Sequence, residues 1–474
     1  MLTILFLAIA VAGHTQSDSL PAYLHTAAQN NPGVMAAFHA YEAALQKVPQ
    51  AAALQNPTLD AGFFLKPMEL VEGRQIADFR LMQMFPWFGT RKAARTEAQN
   101  AAQMAFEEFR NSRDQLFLDV YTQWFTLCRL QQQVANSRAN RSLLAQLETL
   151  ALQNPGTASG NSPQPNMRTA PDNSTPASGS SMQGMSMGNG QQPTTTATAT
   201  STEMPNNSMG TMSGNTSSGM ADVLRIQMEI AETDANTEIL LSEIATEKAR
   251  FNALLNRSAD SPVELPDTLL QIPFQLDLNA TRALIDAQNP MLAMLDAQEQ
   301  MYIAQADMQR KMSYPMFGIG IDYMLIAPLE ANGSMGSSMS MNGRDMLMPM
   351  LSITLPIWRG KYRAQQRETA LLQQSAREKR QNEQNLLEAE LRRASYQLDA
   401  TARRTALYRH QSELAKTTYN ITVSEFSTGK NTLANVIQAS RQLLDYELKI
   451  AEATANYNTT VAAIQKLIAG FNND

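Results

Sequence analysis

The chain has 474 residues, of which 43% are hydrophobic and 17% are charged, so it has enough apolar side chains to build a folded core. Its net charge of −6, with no basic stripe, argues against nucleic acid as a partner. The single cysteine, Cys128, excludes a disulfide framework and a thiolate-cluster metal site, and the four histidines disfavour a multi-histidine site. The 28 methionines, by contrast, are clustered.

An apolar run over residues 1–12 ends in Ala10-Val11-Ala12, a pattern typical of a signal-peptide cleavage site. We predict an export signal there, with cleavage as far along as residue 16; a buried N-terminal helix is the alternative. A run of about 12 residues is too short to cross a bilayer as a helix, and no other stretch approaches the required length of about 18. The sequence therefore predicts no transmembrane helix.

Long stretches without proline or glycine follow, over 90–154 and 221–261, and proline does not occur after Pro356. Such stretches of good helix formers predict unusually long helices, near Arg91–Leu152 and Lys361–Phe426. Each would run roughly 90–100 Å at 1.5 Å per residue and would have to pack lengthwise against partner helices. The alternative is that each stretch is broken into shorter globular segments.

Four short segments between the helices alternate apolar and polar residues with the period of a β-strand. They lie near Thr58–Lys66, Ile76–Phe85, Met316–Leu325 and Met350–Leu355. Polar loops over 66–75 and 327–344 would join them into two hairpins, 58–85 and 316–355. Segments with this pattern are typical of transmembrane strands, although half-buried strands of soluble sheets look the same.

The alternation places Asp60, Asp78, Arg80 and Asp322 on the polar side, where they would line the lumen of a barrel. Four strands cannot close a barrel, and a bilayer does not tolerate open sheet edges. If these strands span a membrane, several chains must therefore contribute to one barrel.

The second half of the chain repeats the element order of the first half. Three pairs of segments match in the same order: Asn31-Pro32 with Asn289-Pro290, Phe85–Gly89 with Leu355–Gly360, and Asp222–Arg225 with Asn435–Gln438. Matches in the same order indicate an internal duplication. We predict two repeats, over residues 20–257 and 280–470.

These repeated motifs resemble the TolC-like outer-membrane efflux proteins, and the segment Gly429–Ile437 is similar to the family's turn between paired helices. The resemblance covers residues 20–470 apart from one insertion. It implies a mainly α fold with a membrane β-barrel: a homotrimer in which each chain gives four strands to a shared twelve-stranded barrel, continued by a long periplasmic α-helical tunnel.

The same resemblance implies an outer-membrane location, in contact with outer-membrane lipid. It also implies two protein partners: a periplasmic adaptor (membrane fusion) protein and an inner-membrane resistance-nodulation-division pump. Many metal-exporting members carry a lipidated cysteine at the mature N-terminus. No cysteine lies there in this sequence, so we expect no lipid anchor.

Residues 153–219 interrupt the resemblance with a stretch rich in Ser, Thr, Asn, Gly, Pro and Met. Such a composition buries too little apolar surface to fold, so we predict a disordered insertion in place of the first helix–helix turn. Its candidate metal ligands are Met182, Met185, Met187, Met209 and Met212. Soft thioethers select Cu(I) and Ag(I) over harder ions, which indicates these ions as cargo; a low-complexity segment without metal binding is the alternative.

A second methionine cluster lies in the loop before the last strand and continues into that strand. Its loop members, Met335, Met339 and Met341, are further candidate ligands, and the resemblance would place this loop outside the cell. Glu425, beside the Gly429 turn, is a candidate for an acidic ring at the narrow end of the tunnel, because charged rings tune cation passage. A solvated helix end is the alternative for Glu425.

No catalytic motif of a hydrolase, metalloprotease or P-loop enzyme occurs, so the sequence predicts neither an enzyme nor a required cofactor. The first function hypothesis is an outer-membrane exit duct for Cu(I) or Ag(I). The second is the same duct for drugs or peptides, with incidental methionines. The third is an exported coiled-coil or metal-sequestering protein without a pore.

Overall fold

The computed structural model describes residues 20–70, 73–153, 217–328 and 343–472. The export signal predicted over 1–12 lies outside these residues, as does nearly all of the predicted insertion. The described chain is mainly helical and contains one four-stranded antiparallel sheet. Within it, no helix combines the length and the apolar character needed to cross a membrane.

The same order of elements occurs twice along the chain. The first half contains α1 (Leu20–Asn30), α2 (Pro32–Ala51), β1 (Thr58–Leu70), β2 (Gly73–Phe85), α3 (Thr90–Gln153) and α4 (Ser217–Leu254). The second half contains α5 (Leu278–Gln288), α6 (Pro290–Met312), β3 (Met316–Ala327), β4 (Met346–Thr354), α7 (Arg359–Ser427) and α8 (Leu433–Leu467). A short 3₁₀ turn, Gly470–Asn472, follows α8.

The two long helices are continuous, which confirms the prediction from the breaker-free stretches. Helix α3 has 64 residues and α7 has 69. Helix α3 begins after Gly89, whose φ of 81° is a left-handed conformation that glycine adopts without a steric penalty. Helix α7 ends just before Gly429, with a φ of 73°, so both boundaries coincide with the glycines that bracket the predicted stretches.

The predicted boundaries of the hairpins are wrong in two places. Strands β1 and β2 run on toward each other, because the pairs Met68↔Gln75 and Leu70↔Gly73 continue the ladder after a shift in register beyond Phe63. The predicted loop over 66–75 is therefore mostly strand. Strand β4 begins at Met346 rather than at Met350, and Pro349 lies within it. An edge strand accepts proline because the missing N–H can face away from the ladder.

The chain divides into two compact units. One unit takes in the chain before Asn140 together with Asp234–Leu414 and Leu443–Asp474, and it contains the sheet. The other unit consists of Asn140–Thr233 and Ala415–Gln442, so it contains the ends of the long helices and the starts of α4 and α8.

Each unit has its own apolar core. In the first, the Tyr23 ring packs on Trp124 and Phe251 with centroid distances of 5.5 and 5.1 Å, which holds α1 against α3 and α4. Burying one large apolar side chain of this kind stabilises the fold by roughly 1.5–3 kcal/mol. In the second, Leu144 of α3 and Val436 of α8 are both fully buried.

Candidate functional site

The strands are ordered β1-β2-β3-β4 and every neighbouring pair is antiparallel. Residues directly opposite each other across such a ladder project from the same face of the sheet. The register therefore sorts the side chains of the sheet into two faces. The alternation within each strand then assigns the remaining residues, because side chains at i and i+2 share a face.

One side, which we call the polar face, is made of four rows of cross-strand partners. These rows are Thr58, Met82, Gly320 and Met350; Asp60, Arg80, Asp322 and Met348; Gly62, Asp78, Met324 and Met346; and Met84, Gly318 and Ser352. All four charged side chains predicted to line a lumen, Asp60, Asp78, Arg80 and Asp322, thus share this face. That the polar face borders a lumen stays a prediction.

The opposite side, which we call the apolar face, carries aliphatic and aromatic residues apart from Gln83. Its rows are Leu59, Leu81, Ile321 and Pro349; Ala61, Phe79, Tyr323 and Leu347; Phe63, Ala77 and Leu325; Gln83, Ile319 and Leu351; and Phe85, Phe317 and Ile353. Several are strongly exposed in the single chain, with Leu59 at 67%, Phe63 at 71% and Leu351 at 72%. A contiguous exposed apolar surface of this kind marks a site of contact with lipid or protein.

An ion pair joins the two hairpins at the centre of the polar face. Asp322 is 1% exposed, and its Oδ2 accepts hydrogen bonds from Arg80 Nη2 at 3.1 Å and Nε at 3.3 Å. Within the described residues, Asp322 Oδ1 has no hydrogen-bond partner. Asp60 lies opposite Arg80 on the other neighbouring strand, so the guanidinium stands between two carboxylates of its row.

Glycines make room for the long side chains of β2. A Cβ atom at Gly318 would lie 2.5 Å from the Met84 sulfur, and one at Gly62 would collide with the carboxylate of Asp78. The sequence alternates glycine with Ile and Phe in β3 because the polar side of that strand is filled from β2.

Glu425 belongs to the second compact unit, whereas the other four predicted pore residues belong to the first. It lies in the last turn of α7 and is exposed. Its carboxylate accepts a hydrogen bond of 2.9 Å from Asn431 Nδ2, and its carbonyl accepts one of 2.9 Å from the Lys430 N–H. These contacts tie the carboxylate to the turn before α8, and its membership of an acidic ring stays a prediction.

The second unit also contains an ion pair that the sequence does not single out. Arg441 of α8 donates to Glu229 of α4, with Nε to Oε1 at 2.7 Å, and Nη2 lies 3.7 Å from Glu232. The hydrogen bond to Glu229, its charge and that of Glu232 raise the pKa of Arg441. A fixed positive charge therefore sits beside two acidic side chains on this helix pair.

The candidate thioether ligands of the insertion and of the loop between β3 and β4, which we call the second loop, lie outside the described residues. These are Met182, Met185, Met187, Met209 and Met212, and Met335, Met339 and Met341. The structure instead reveals methionines of the polar face that sequence reasoning missed, namely Met82, Met84 and Met324. The signal was available, because Met82 and Met84 share the parity of Asp78 and Arg80 in β2.

No group of three or more His, Cys, Asp or Glu side chains is placed to hold a metal ion in the described ranges. Cys128 is buried in the first core, and desolvation raises the pKa of its thiol to about 12. The thiol stays protonated at neutral pH and is therefore a poor nucleophile and a poor metal ligand.

Residues 282–470 match the family model described as outer membrane efflux protein. The match begins within α5 and contains the β3–β4 hairpin, α7 and α8. Over these residues, the match agrees with the family resemblance drawn from the motifs. The comparison with curated proteins finds no match.

Several solved structures share the fold over nearly the whole chain. The outer membrane protein VceC of Vibrio cholerae has a TM-score of 0.66 at 13% identity and covers 95% of each chain. CusC, from a study of folding and transmembrane channel formation, has a TM-score of 0.66 at 13% identity, with 95% of this chain and 91% of that chain covered. The CmeC outer membrane channel of Campylobacter jejuni has a TM-score of 0.63 at 11% identity, with coverages of 99% and 94%. At these identities the likeness establishes the fold.

Proposed function

We propose that this chain is one subunit of a trimeric outer-membrane efflux channel that exports Cu(I) or Ag(I) from the periplasm to the exterior. One observation supports the channel assignment most directly: the sheet has an exposed apolar face, a charged polar face and two open edges. In the described sheet, β1 and β4 each have a single neighbouring strand.

An open sheet with one apolar face is incomplete in a membrane, where every backbone group needs a partner. The apolar face would meet lipid and the polar face would surround water. Because each chain contributes an even number of alternating strands, β4 of one copy can pair antiparallel with β1 of the next all the way round. Three copies would give the twelve-stranded barrel that the family resemblance implies.

The remaining parts of the proposal follow the family. The long helices α3, α4, α7 and α8 would form a periplasmic tunnel beneath the barrel. The partners would be a periplasmic adaptor protein and an inner-membrane resistance-nodulation-division pump. The match of residues 282–470 and the fold likeness to outer-membrane channels support this assignment.

The metal cargo is supported by the chemistry of the sequence. Twenty-eight methionines with one cysteine and four histidines supply thioether sulfur in abundance and few of the ligands that zinc or nickel prefers. A thioether also remains a ligand at any pH, because it carries no proton to lose. Cu(I) and Ag(I) are the ions that such ligands select.

Assembly is tested on the full chain purified from membranes in detergent. The expected result is a trimer that resists dissociation in detergent and conducts ions in planar bilayers. A monomeric, water-soluble product without conductance would overturn the channel and favour a non-pore exported protein.

Cargo is tested in a deletion strain that expresses either the wild-type chain or a variant with leucine at the five thioether positions of the insertion. These positions are Met182, Met185, Met187, Met209 and Met212. Leucine keeps the apolar bulk and removes the sulfur. We expect the wild type to restore copper and silver tolerance and the variant to restore it only partly. Restored tolerance to drugs or peptides, with copper and silver tolerance unaffected by the deletion, would assign the duct to the second cargo class.

A further inference from the structure

The methionines of strands β2, β3 and β4 lie on one face of the sheet. Strands β2, β3 and β4 contain seven methionines: Met82, Met84, Met316, Met324, Met346, Met348 and Met350. In the register of the described sheet, six of them belong to the rows of the polar face; Met316, which pairs with Thr354, is on the same side of β3, and the apolar rows contain no methionine. A methionine that merely supplied apolar bulk would be expected on the lipid-like face as well.

Two of these sulfurs converge on one hydroxyl group. Ser352 Oγ lies 3.5 Å from Met82 Sδ and 3.6 Å from Met84 Sδ. Ser352 is on β4, whereas both methionines are on β2, so their side chains reach across the intervening strand β3. The thioethers are thus brought within a few ångströms of a common point.

The glycines of β3 allow this reach. Met82 Cε lies 3.5 Å from where a Cβ at Gly320 would stand, so the end of Met82 lies over that glycine. The partner of Gly320 on the far side is Met350. The side chain of Met82 therefore extends over a glycine whose partner on β4, Met350, carries a third thioether.

The charge of the surrounding face favours a cation. Its four rows carry three carboxylates, Asp60, Asp78 and Asp322, and one guanidinium, Arg80. Asp322 is nine-tenths or more buried, and its Oδ1 is without a partner among the described residues. Met348 is the cross-strand partner of Asp322, so a thioether side chain and the carboxylate whose Oδ1 has no partner in the described chain lie on adjacent strands.

We infer that Met82, Met84 and Met350 form a binding site for a soft monovalent cation, Cu(I) or Ag(I), on the polar face of the sheet. Further thioethers lie along the same face. Met348 is two residues from Met350 along β4, and Met346, which pairs with Met324, is two residues beyond Met348. Two or three thioethers leave the coordination shell open, so an ion passes from one set to the next by ligand exchange. This inference rests on the proposed function, because only in a channel does the polar face of the sheet line the path of the ion.

The test uses the full chain as a detergent-solubilised trimer and Ag(I) as the probe, since Ag(I) keeps its oxidation state under ordinary buffers. All chains carry leucine at the eight candidate thioethers of the insertion and the second loop, which removes competing sulfur. The test variant adds Met82→Leu, Met84→Leu and Met350→Leu. The matched control adds Met228→Leu, Met308→Leu and Met312→Leu, three methionines that lie on helices.

Binding is measured by titration calorimetry, and the ligands are identified by X-ray absorption at the silver edge. We expect the background chain and the control to bind Ag(I) with sulfur neighbours, and the test variant to bind at least tenfold more weakly and without them. If the triple variant does not assemble, Met350→Leu alone is used, because one volume-conserving substitution disturbs the sheet least; a several-fold loss is expected.

Two results overturn the inference: a background chain without sulfur-bound silver, or a test variant that binds like the control. Conductance of the same samples separates this failure from that of the proposed function. Conducting trimers with unchanged silver binding refute only the thioether site, whereas the absence of any conducting trimer refutes the channel itself.

Discussion

Asn31 and Asn289 make the same set of contacts in the two halves of the chain. Each is the N-cap of the helix that follows, and each uses its side-chain oxygen to accept two backbone N–H groups of that helix. The amide nitrogen of Asn31 donates to the Leu254 carbonyl at 2.9 Å, and that of Asn289 donates to the Leu467 carbonyl at 3.0 Å.

These two asparagines therefore tie the start of a helix to the end of another in both halves. Leu254 is the last residue of α4, and Leu467 is the last residue of α8. The orphan N–H groups at one helix start and an orphan carbonyl at another helix end are satisfied by one side chain. This explains why Asn precedes Pro at both positions of the sequence repeat.

The first prediction separates the two roles of this side chain. Asn289→Ala should lower the free energy of unfolding by about 2 kcal/mol, because it removes a cap and leaves a buried carbonyl unpaired. Asn289→Asp keeps the cap oxygen and loses the donor to Leu467, so it should retain part of this stability. Asn31→Ala should cost less, since Asn31 is less buried than Asn289. Thermal unfolding followed by circular dichroism measures all three, and equal losses in the Ala and Asp variants would contradict the capping role.

The second prediction concerns the Arg80–Asp322 pair between the hairpins. Arg80→Met should lower the stability of the sheet by about 3 kcal/mol or more, because it leaves the buried Asp322 carboxylate without its partner. Asp322→Asn should cost less, since Arg80 is 43% exposed and can turn to water. The temperature at which the assembly dissociates in detergent is the measurement. The dissociation temperature of the double variant should be closer to that of the wild type than the temperature of Arg80→Met alone. A larger loss of stability in Asp322→Asn than in Arg80→Met would contradict the prediction.

The third prediction uses the buried carboxyl group of Asp114 in α3. It is 1% exposed, and burial raises its pKa although Arg113, Arg110 and Lys466 act to lower it. A raised pKa means that the folded state prefers the protonated acid, so this group contributes stability below its unfolded pKa and loses it as pH rises through the folded pKa. Asp114→Asn should therefore raise the melting temperature at pH 8, and the gain should shrink as the pH is lowered toward about 4.

Asp119→Asn is the matched control for this experiment, because Asp119 is exposed on the same helix. We expect no comparable change in the pH dependence of its melting temperature. A gain for Asp114→Asn that is the same at every pH would show that the buried charge is not the cause.

The fourth prediction tests the continuity of α7. Leu398 is 8% exposed and packs in a cluster with Val461 and Ile464 of α8. Leu398→Pro should cost about 3 kcal/mol or more beyond the loss caused by Leu398→Ala, because proline removes a helical hydrogen bond and clashes with the preceding turn. Trimer dissociation temperature and helical circular dichroism report the difference. Proline and alanine variants of equal stability would place a break in α7 near this residue.

The sequence by itself determined where the long helices lie and which residues of each strand share a face of the sheet. Freedom from proline and glycine is a local property, and it predicted α3 and α7 to within two residues at their ends. The alternation of period two is equally local, so it placed Asp60, Asp78, Arg80 and Asp322 on one side of their strands. The Asn-Pro pairs also marked where α2 and α6 begin, because a cap acts on the residues that follow it.

Only the tertiary structure decided which residues of the polar side are neighbours. Arg80 and Asp322 are 242 positions apart, and pairing them requires the register between β2 and β3, which a one-residue slip would destroy. The same register brings Met82 and Met84 to Ser352. The predicted start of β4 is wrong for a related reason. A proline argues against a central strand, but β4 is the last strand of the sheet within one chain, and only the sheet order shows this.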